Sequence, residues 1–406
     1  MRIAMISEHA SPLAALGGAD AGGQNTHVAE LSAAMAGLGH DVRVYTRRDD
    51  TDLPAEVGTG DGVTVVHVPA GPAEALTKDE LLPHMGVFAR WMAGQWLAGD
   101  WAPDVVHAHF WMSGLAAVEA ARHVDAPVVQ TFHALGSVKR RHQGAQDTSP
   151  AVRVSAERAI CRSVGRVVAQ CTDEVAELVR LGVRRSKIIV VPSGVNQRRF
   201  TPDGPAVDRT PGLRRLLTVG RLVPRKGFEE IIHALRYVPD AECVIVGGPP
   251  AAELAADPYA RHLTRLAATA GVADRVRLAG AVPAADMAAW YRSADAVVAA
   301  PWYEPFGLTP LEAMACGVPV VATAVGGLTD TVVDGVTGDL VPPRDPRRLG
   351  AAMRGLLDDG MRRLAYGAAA LDRARQCYHW SRTAARLEAV YRDLRPATRP
   401  SEVLAG

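Results

Sequence analysis

Short apolar runs alternate along this chain with longer stretches in which apolar residues return every three or four positions. In the first half, residues 2–6, 41–46, 63–68, 104–107, 126–132, 167–170 and 188–192 read as buried strands. In the second, residues 216–220, 242–248, 276–280, 296–300 and 318–323 read the same way. Between them lie helical stretches: 24–38, with Val28, Leu31 and Met35 on one face, then 147–163, 228–237 and 346–376. Strands alternating with helices predict an α/β protein with doubly wound parallel sheets. The Pro, Gly and Asp between positions 202 and 212 mark a linker. The expected division is an N-terminal domain of residues 1–200 plus 384–406 and a C-terminal domain of 201–383.

Composition agrees with two domains, because 406 residues exceed what one ordinary core holds. Lys plus Arg number 45 against 44 Asp plus Glu, so net charge gives no argument for nucleic acid or a membrane surface. Five scattered cysteines make an odd count, which argues against a disulfide framework and fits a reducing cytoplasm. No apolar run reaches the roughly 18 residues of a membrane span, and Met1 leads straight into a strand without a basic leader. A cytoplasmic protein without a membrane span is expected.

The segment 303–317, Tyr-Glu-Pro-Phe-Gly-Leu-Thr-Pro-Leu-Glu-Ala-Met-Ala-Cys-Gly, concentrates candidate chemistry. Thr309 and Glu312 have capping-box spacing, Pro310 suits a first helical position and Gly317 a stop, so a helix is expected from Pro310. The preceding loop would face the crevice at a strand's carboxyl end, where the amides of Phe306, Gly307 and Leu308 favour an anion. Glu304 and Glu312 would accept hydrogen bonds from a sugar or ribose; the other reading leaves Glu312 to the capping box and Glu304 to solvent. Arg221 and Lys226, on a loop between strand and helix, suit two cations aimed at a diphosphate, or are surface charges.

Further upstream, the loop 7–23 carries Gly17, Gly18, Gly22 and Gly23 between a strand and a helix, where a backbone can approach phosphate. Its glycines fit neither G-x-G-x-x-G nor a P-loop, which argues against a dehydrogenase or an ATPase. Thr77 and Glu80 form a second capping-box pattern, with Lys78 beside it as a solvated charge or an acceptor anchor. His107 and His109 alternate onto one strand face, but no third ligand follows by spacing, so no metal site is expected. His109 reads instead as a polar group at the strand's crevice end, and His133 stands at the tip of the next strand.

The string 303–317 resembles the donor-binding signature of the retaining glycosyltransferases of glycosyltransferase family 4, which includes sucrose-phosphate synthase and sucrose synthase. Residues 20–25, 192–200, Gly-Arg-Leu-Val-Pro-Arg-Lys-Gly-Phe at 220–228 and the terminal stretch 380–394 resemble other parts of the same family. The resemblance implies a GT-B fold: two Rossmann-like domains facing across a cleft, with a C-terminal helix crossing back to the first. It implies that Glu304 binds the donor sugar, Phe306, Gly307, Leu308 and Thr309 the sugar and phosphate, and Glu312 the ribose. Arg221 and Lys226 would hold the diphosphate, Gly22 and Gly23 would border it, and His133 would lie near the reacting carbon. Ser11-Pro12-Leu13, residues 20–25, Lys78 and His109-Phe110-Trp111 are most similar to the D-inositol-3-phosphate glycosyltransferase branch and to sucrose-phosphate synthase. By that analogy Asn25, Lys78, His109, Arg153 and Arg158 serve the acceptor.

The implied function is retaining transfer of a hexosyl group from a nucleoside diphosphate sugar, UDP favoured, to a sugar phosphate or cyclitol phosphate. No cofactor beyond the donor is implied. Phe110 and Ala134 depart from the inositol-phosphate pattern, which has tyrosine and threonine there, so both positions lack a hydroxyl. A GDP-sugar transferase with an unphosphorylated natural-product acceptor and a nucleotide-sugar epimerase of similar fold are the alternatives. Oligomeric state, a homodimer included, stays open.

Overall fold

A computed structural model describes residues 1–14 and 22–395 and contains two sheets. Gly17, Gly18 and Asp20 of the glycine loop, and residues 396–406, lie outside the described residues. The first sheet comprises β1 (Arg2–Ile6), β2 (Asp41–Arg47), β3 (Glu56–Gly58), β4 (Val63–Val68), β5 (Val105–His109), β6 (Val128–Thr131), β7 (Arg166–Ala169) and β8 (Ile188–Val190). Their order is β3-β4-β2-β1-β5-β6-β7-β8, parallel apart from the short edge strand β3. The second comprises β9 (Arg214–Val219), β10 (Ala241–Val246), β11 (Val276–Gly280), β12 (Ala296–Ala299), β13 (Val320–Thr323) and β14 (Gly338–Val341), in the order β11-β10-β9-β12-β13-β14.

Each sheet reverses its strand order once, between β1 and β5 in the first and between β9 and β12 in the second. A ligand crevice is expected outside the carboxyl ends of the strands at such a switch point. Four loops therefore matter: those after β1 and β5, and those after β9 and β12.

The strands are apolar on both faces because helices cover both faces. Ile3, Met5, Val28, Leu31 and Met35 form one buried cluster with Trp380, Ala384, Leu387, Val390 and Tyr391. The helix Trp380–Leu394 thus returns to the first sheet, and Tyr391 Oη lies 2.6 Å from His107 Nδ1 beneath β5. Val195 and Phe200 pack instead with Leu217, Val297 and Leu311 of the second sheet's cluster.

Several local expectations are corrected. The helix in the 303–317 segment runs Leu308–Ala315, with Gly307 as its N-cap, so Thr309 and Glu312 do not form a capping box. The predicted helix 147–163 starts only at Arg153, and 346–376 is two helices, Pro346–Asp358 and Gly360–Cys377. Asp359 divides them by accepting the Arg362 N–H at 2.9 Å, an N-cap in mid-pattern. Thr77 and Glu80 do form a capping box, on a single 3₁₀ turn, Lys78–Glu80. Strands β3, Glu-Val-Gly, and β14, Gly-Asp-Leu-Val, carry no continuous apolar run from which a strand is expected.

Candidate functional site

At the second switch point, the loop after β9 is pressed onto the exit of β12. Gly227 has φ +73°, and a Cβ there would lie 1.8 Å from the Ala300 carbonyl oxygen, so only glycine fits. This approach places Lys226 Nζ 2.5 Å from Glu304 Oε2, with the side chains 18% and 15% exposed. Burial pushes the Glu304 carboxyl up, but Lys226, Arg225 and Arg221 outweigh it and hold the group below its ordinary value. Burial also lowers Lys226, opposed by Glu304. The result is an ion pair at the cleft floor with further cations around it.

Arg225 was not singled out in the sequence. Its guanidinium lies 5.4 Å from the Tyr303 ring, and its buried Nη1 has no hydrogen-bond partner. Its place beside Lys226 in the same loop was the available signal. Arg221 is exposed and adds to the field on Glu304.

Gly307, at φ +93°, turns the chain into the helix that starts at Leu308. Thr309, Glu304 and Lys226 line one narrow pocket with Thr218 and Ala299, at the amide end of that helix. Phe306 is buried beneath it. Glu312, one turn on, accepts from Tyr291 Oη at 2.7 Å. Burial raises its carboxyl to about 7, against the opposing pull of the Tyr291 bond and Arg199.

The first domain supplies the facing wall. A Cβ on Gly23 would lie 3.3 Å from Leu308 Cδ1, so the glycine loop abuts the start of the Leu308–Ala315 helix across the cleft. Asn25 holds that loop: its Oδ1 accepts from the Gly22 N–H at 3.0 Å, and its Nδ2 donates to Ser11 O at 3.0 Å. Around Phe110 three side chains converge. Lys78 Nζ is 5.4 Å and the Arg153 guanidinium 5.0 Å from its ring, while the His9 ring meets its edge at 4.9 Å. Glu8, fully buried, holds His9 through a 2.7 Å contact to Nδ1; the sequence reading missed both residues. Their signal was position, just past β1 at the switch point.

Arg153 is buried and already donates to Glu157 at 2.9 Å, Ser149 at 3.2 Å and the Ala134 carbonyl at 2.5 Å. Arg158 sits on the exposed side of the same helix, away from the face carrying Arg153, Glu157 and Ile160, and is not brought to the cleft. His109 and His133 do meet there, Nδ1 to Nε2 at 2.9 Å. His133 adopts φ +59°, a left-handed conformation uncommon outside glycine.

The domains are tied together beside the site. Asp330 accepts from the Thr172 N–H at 2.7 Å and from Thr172 Oγ1 at 2.6 Å, so one domain caps a helix of the other. Cys171 Sγ donates to the Pro305 carbonyl at 3.2 Å and Gln143 Nε2 to Tyr303 Oη at 2.8 Å. Between them lies a cavity of about 350 Å³ bordered by Glu304, Tyr303, Arg141 and Glu177.

Residues 22–194 match the family model described as a glycosyl transferase 4-like domain, and residues 207–373 match that of glycosyl transferases group 1. The D-inositol 3-phosphate glycosyltransferase of Kineococcus radiotolerans is 39% identical over 96% of this chain and 95% of its own. D-inositol 3-phosphate glycosyltransferase 2 of Catenulispora acidiphila is 36% identical over 100% and 98%. Among solved structures, sucrose-phosphate synthase from Thermosynechococcus elongatus superposes with a TM-score of 0.88 at 29% identity, covering 97% of this chain and 98% of that one. Anabaena HepE, solved in complex with UDP and glucose, shares the fold with a TM-score of 0.75 at 19% identity, covering 97% of this chain and 100% of its own. Among the described residues no helix is long and apolar enough to cross a membrane.

Proposed function

We propose, for a chain that belongs to the glycosyltransferase family of the D-inositol 3-phosphate glycosyltransferases and sucrose-phosphate synthase, that it moves a hexosyl group from a nucleoside diphosphate sugar to a small phosphorylated acceptor with retention of configuration. The observation that carries this reading is the Lys226–Glu304 pair, ringed by Arg221 and Arg225 at the amide end of the Leu308–Ala315 helix. Cations and helix amides suit a diphosphate, while an ionised carboxylate suits sugar hydroxyls. UDP is the favoured nucleotide, in keeping with HepE, whose complexes hold UDP and UDP-glucose.

In this scheme the bond from the anomeric carbon to the diphosphate breaks, and charge gathers on the leaving phosphate oxygen. Lys226, Arg221 and the first helix amides meet that charge in place. Glu304 accepts from the sugar hydroxyls, and Glu312 from the ribose. The acceptor oxygen attacks from the face the diphosphate leaves, and its proton passes to the departing phosphate oxygen. The scheme uses no protein nucleophile and no metal. Burial, with His27 and His107 nearby, holds His133 well below its ordinary range, so it acts as a neutral hydrogen-bonding group beside the reacting carbon.

Lys78 and Arg153 flanking Phe110 support an anionic acceptor. The test is UDP release from UDP-glucose and UDP-N-acetylglucosamine with and without inositol 3-phosphate or fructose 6-phosphate. Release that requires a phosphorylated acceptor agrees with the proposal. Sugar interconversion without acceptor would point to an epimerase instead.

A further inference from the structure

Three histidines from separate elements meet beneath the first sheet's switch point. His27 lies on the helix Gly23–Gly37, His109 ends β5, and His133 follows β6. One ring nitrogen from each lies within 4.8 Å of the other two. The ring centroids are 4.8 Å apart for His27 and His133, 5.5 Å for His27 and His109, and 5.2 Å for His109 and His133.

The partners of the other nitrogens decide what this cluster offers. His27 Nδ1 is 2.7 Å from Ser193 Oγ, which also accepts from Gln170 Nε2 at 2.7 Å. That anchoring aims His27 Nε2 at the cluster, where it is buried without a hydrogen-bond partner. His109 Nδ1 shares a proton with His133 Nε2, and His109 Nε2 is likewise buried and unpartnered. A buried polar atom left unsatisfied is costly, so His27 Nε2, held towards two further imidazoles, requires an explanation. His107 is the contrast: Tyr391 and Thr131 occupy both of its nitrogens, and it has nothing left to offer.

We propose that His27, His109 and His133 form a binding site for one divalent transition-metal ion of the zinc class. An all-imidazole set selects zinc, cobalt or nickel over magnesium and calcium, which require oxygen ligands. All three rings are neutral: burial lowers His27 to about 3 and, with their neighbours, holds His109 and His133 well below the ordinary range. Neutral imidazole is the ligand form, so binding releases no proton. Ser193 and Gln170 supply the outer-shell hydrogen bonds that fix a ligating ring. The ion replaces the proton between His109 and His133, which moves to the other nitrogen of the His109 ring. The 2.9 Å separation of those two nitrogens then widens to suit zinc–nitrogen bonds of about 2.0–2.1 Å. His133 is the least buried of the three. Spacing could not reveal the set, because the helix and the two strand ends come together only in the fold.

The site shares His109 and His133 with the proposed transfer, which itself uses no metal, so its test reads bound metal and not activity. Full-length protein is stripped with chelator, given one equivalent of Zn²⁺ or Co²⁺, and passed through a desalting column; bound metal is then counted by mass spectrometry. One ion per chain, with cobalt ligand-field bands in the visible, is expected. His27→Asn retains a polar atom near the position of Nδ1 for Ser193 but lacks Nε2, and should lose both signals. A control at an exposed histidine, His123→Asn, should keep them. Wild-type protein that emerges metal-free overturns the proposal whatever the variant does to folding. So does a folded His27→Asn protein that binds as wild type does.

Discussion

Replacing Lys226 with alanine separates the proposed chemistry from simple stability. The ammonium makes a 2.5 Å bond to Glu304, and the two side chains are 18% and 15% exposed. Breaking a fully buried pair costs about 3–5 kcal/mol. Here solvent reaches both groups, and Arg225 and Arg221 still stand near the carboxylate. The expected stability loss is therefore about 1–2 kcal/mol, a fall of a few degrees in Tm. Transfer should suffer more. Lys226 is assigned to the leaving phosphate, and removing one preorganised donor of this kind costs about 3 kcal/mol, or roughly a hundredfold in kcat. The assay pairs UDP release under saturating donor with circular dichroism melting of the same preparation. A folded Lys226→Ala protein whose kcat stays within threefold of wild type would remove the residue from the scheme.

Three further substitutions probe other parts of the account. Glu312, raised to about 7 from an ordinary 4.5, stabilises the fold fully below the lower value and loses that contribution as pH rises through the higher one. In denaturant titrations from pH 5 to 8 the buried neutral histidines make stability rise with pH towards their ordinary 6.5, and Glu312 and Glu174, also near 7, oppose that rise. Glu312→Gln should therefore gain more stability with pH than wild type does, and a parallel profile would show that Glu312 is not raised. Gly307→Ala forces an L side chain to φ +93° with its Cβ 2.6 Å from Leu328 Cδ2, and should cost about 1–3 kcal/mol in thermal unfolding while weakening UDP binding. Asp330→Ala removes both acceptors for Thr172; a loss of about 1 kcal/mol and a larger radius of gyration in X-ray scattering are expected, and an unchanged radius would show that the cap does not hold the domains.

Backbone architecture was largely legible because buried parallel strands carry a one-dimensional signal: most strands among the described residues coincide with apolar runs. The helix Trp380–Leu394 follows from the family resemblance and not from periodicity, and its observed bounds match that expectation. Local capping was less secure. Thr309 and Glu312 have capping-box spacing, yet the positive φ of Gly307 starts the helix earlier and frees Glu312 for Tyr291. Contacts between elements distant in sequence left no trace at all. Glu8 with His9 beside Phe110, Asp330 capping Thr172, and His27 reaching His109 and His133 each depend on how sheets and helices pack. Arg158 shows the reverse case: family analogy offers it beside Arg153 for the acceptor, but of the two only Arg153 is buried on the inward face of the helix.

The central claim is a retaining transfer from a nucleotide sugar. Its most direct test is proton NMR of the product formed from a UDP-α-linked hexose and the best phosphorylated acceptor. The account predicts an anomeric proton with the small coupling of an α linkage from the first turnover. A β-linked product would contradict same-face attack and require the site to be read again as an inverting one.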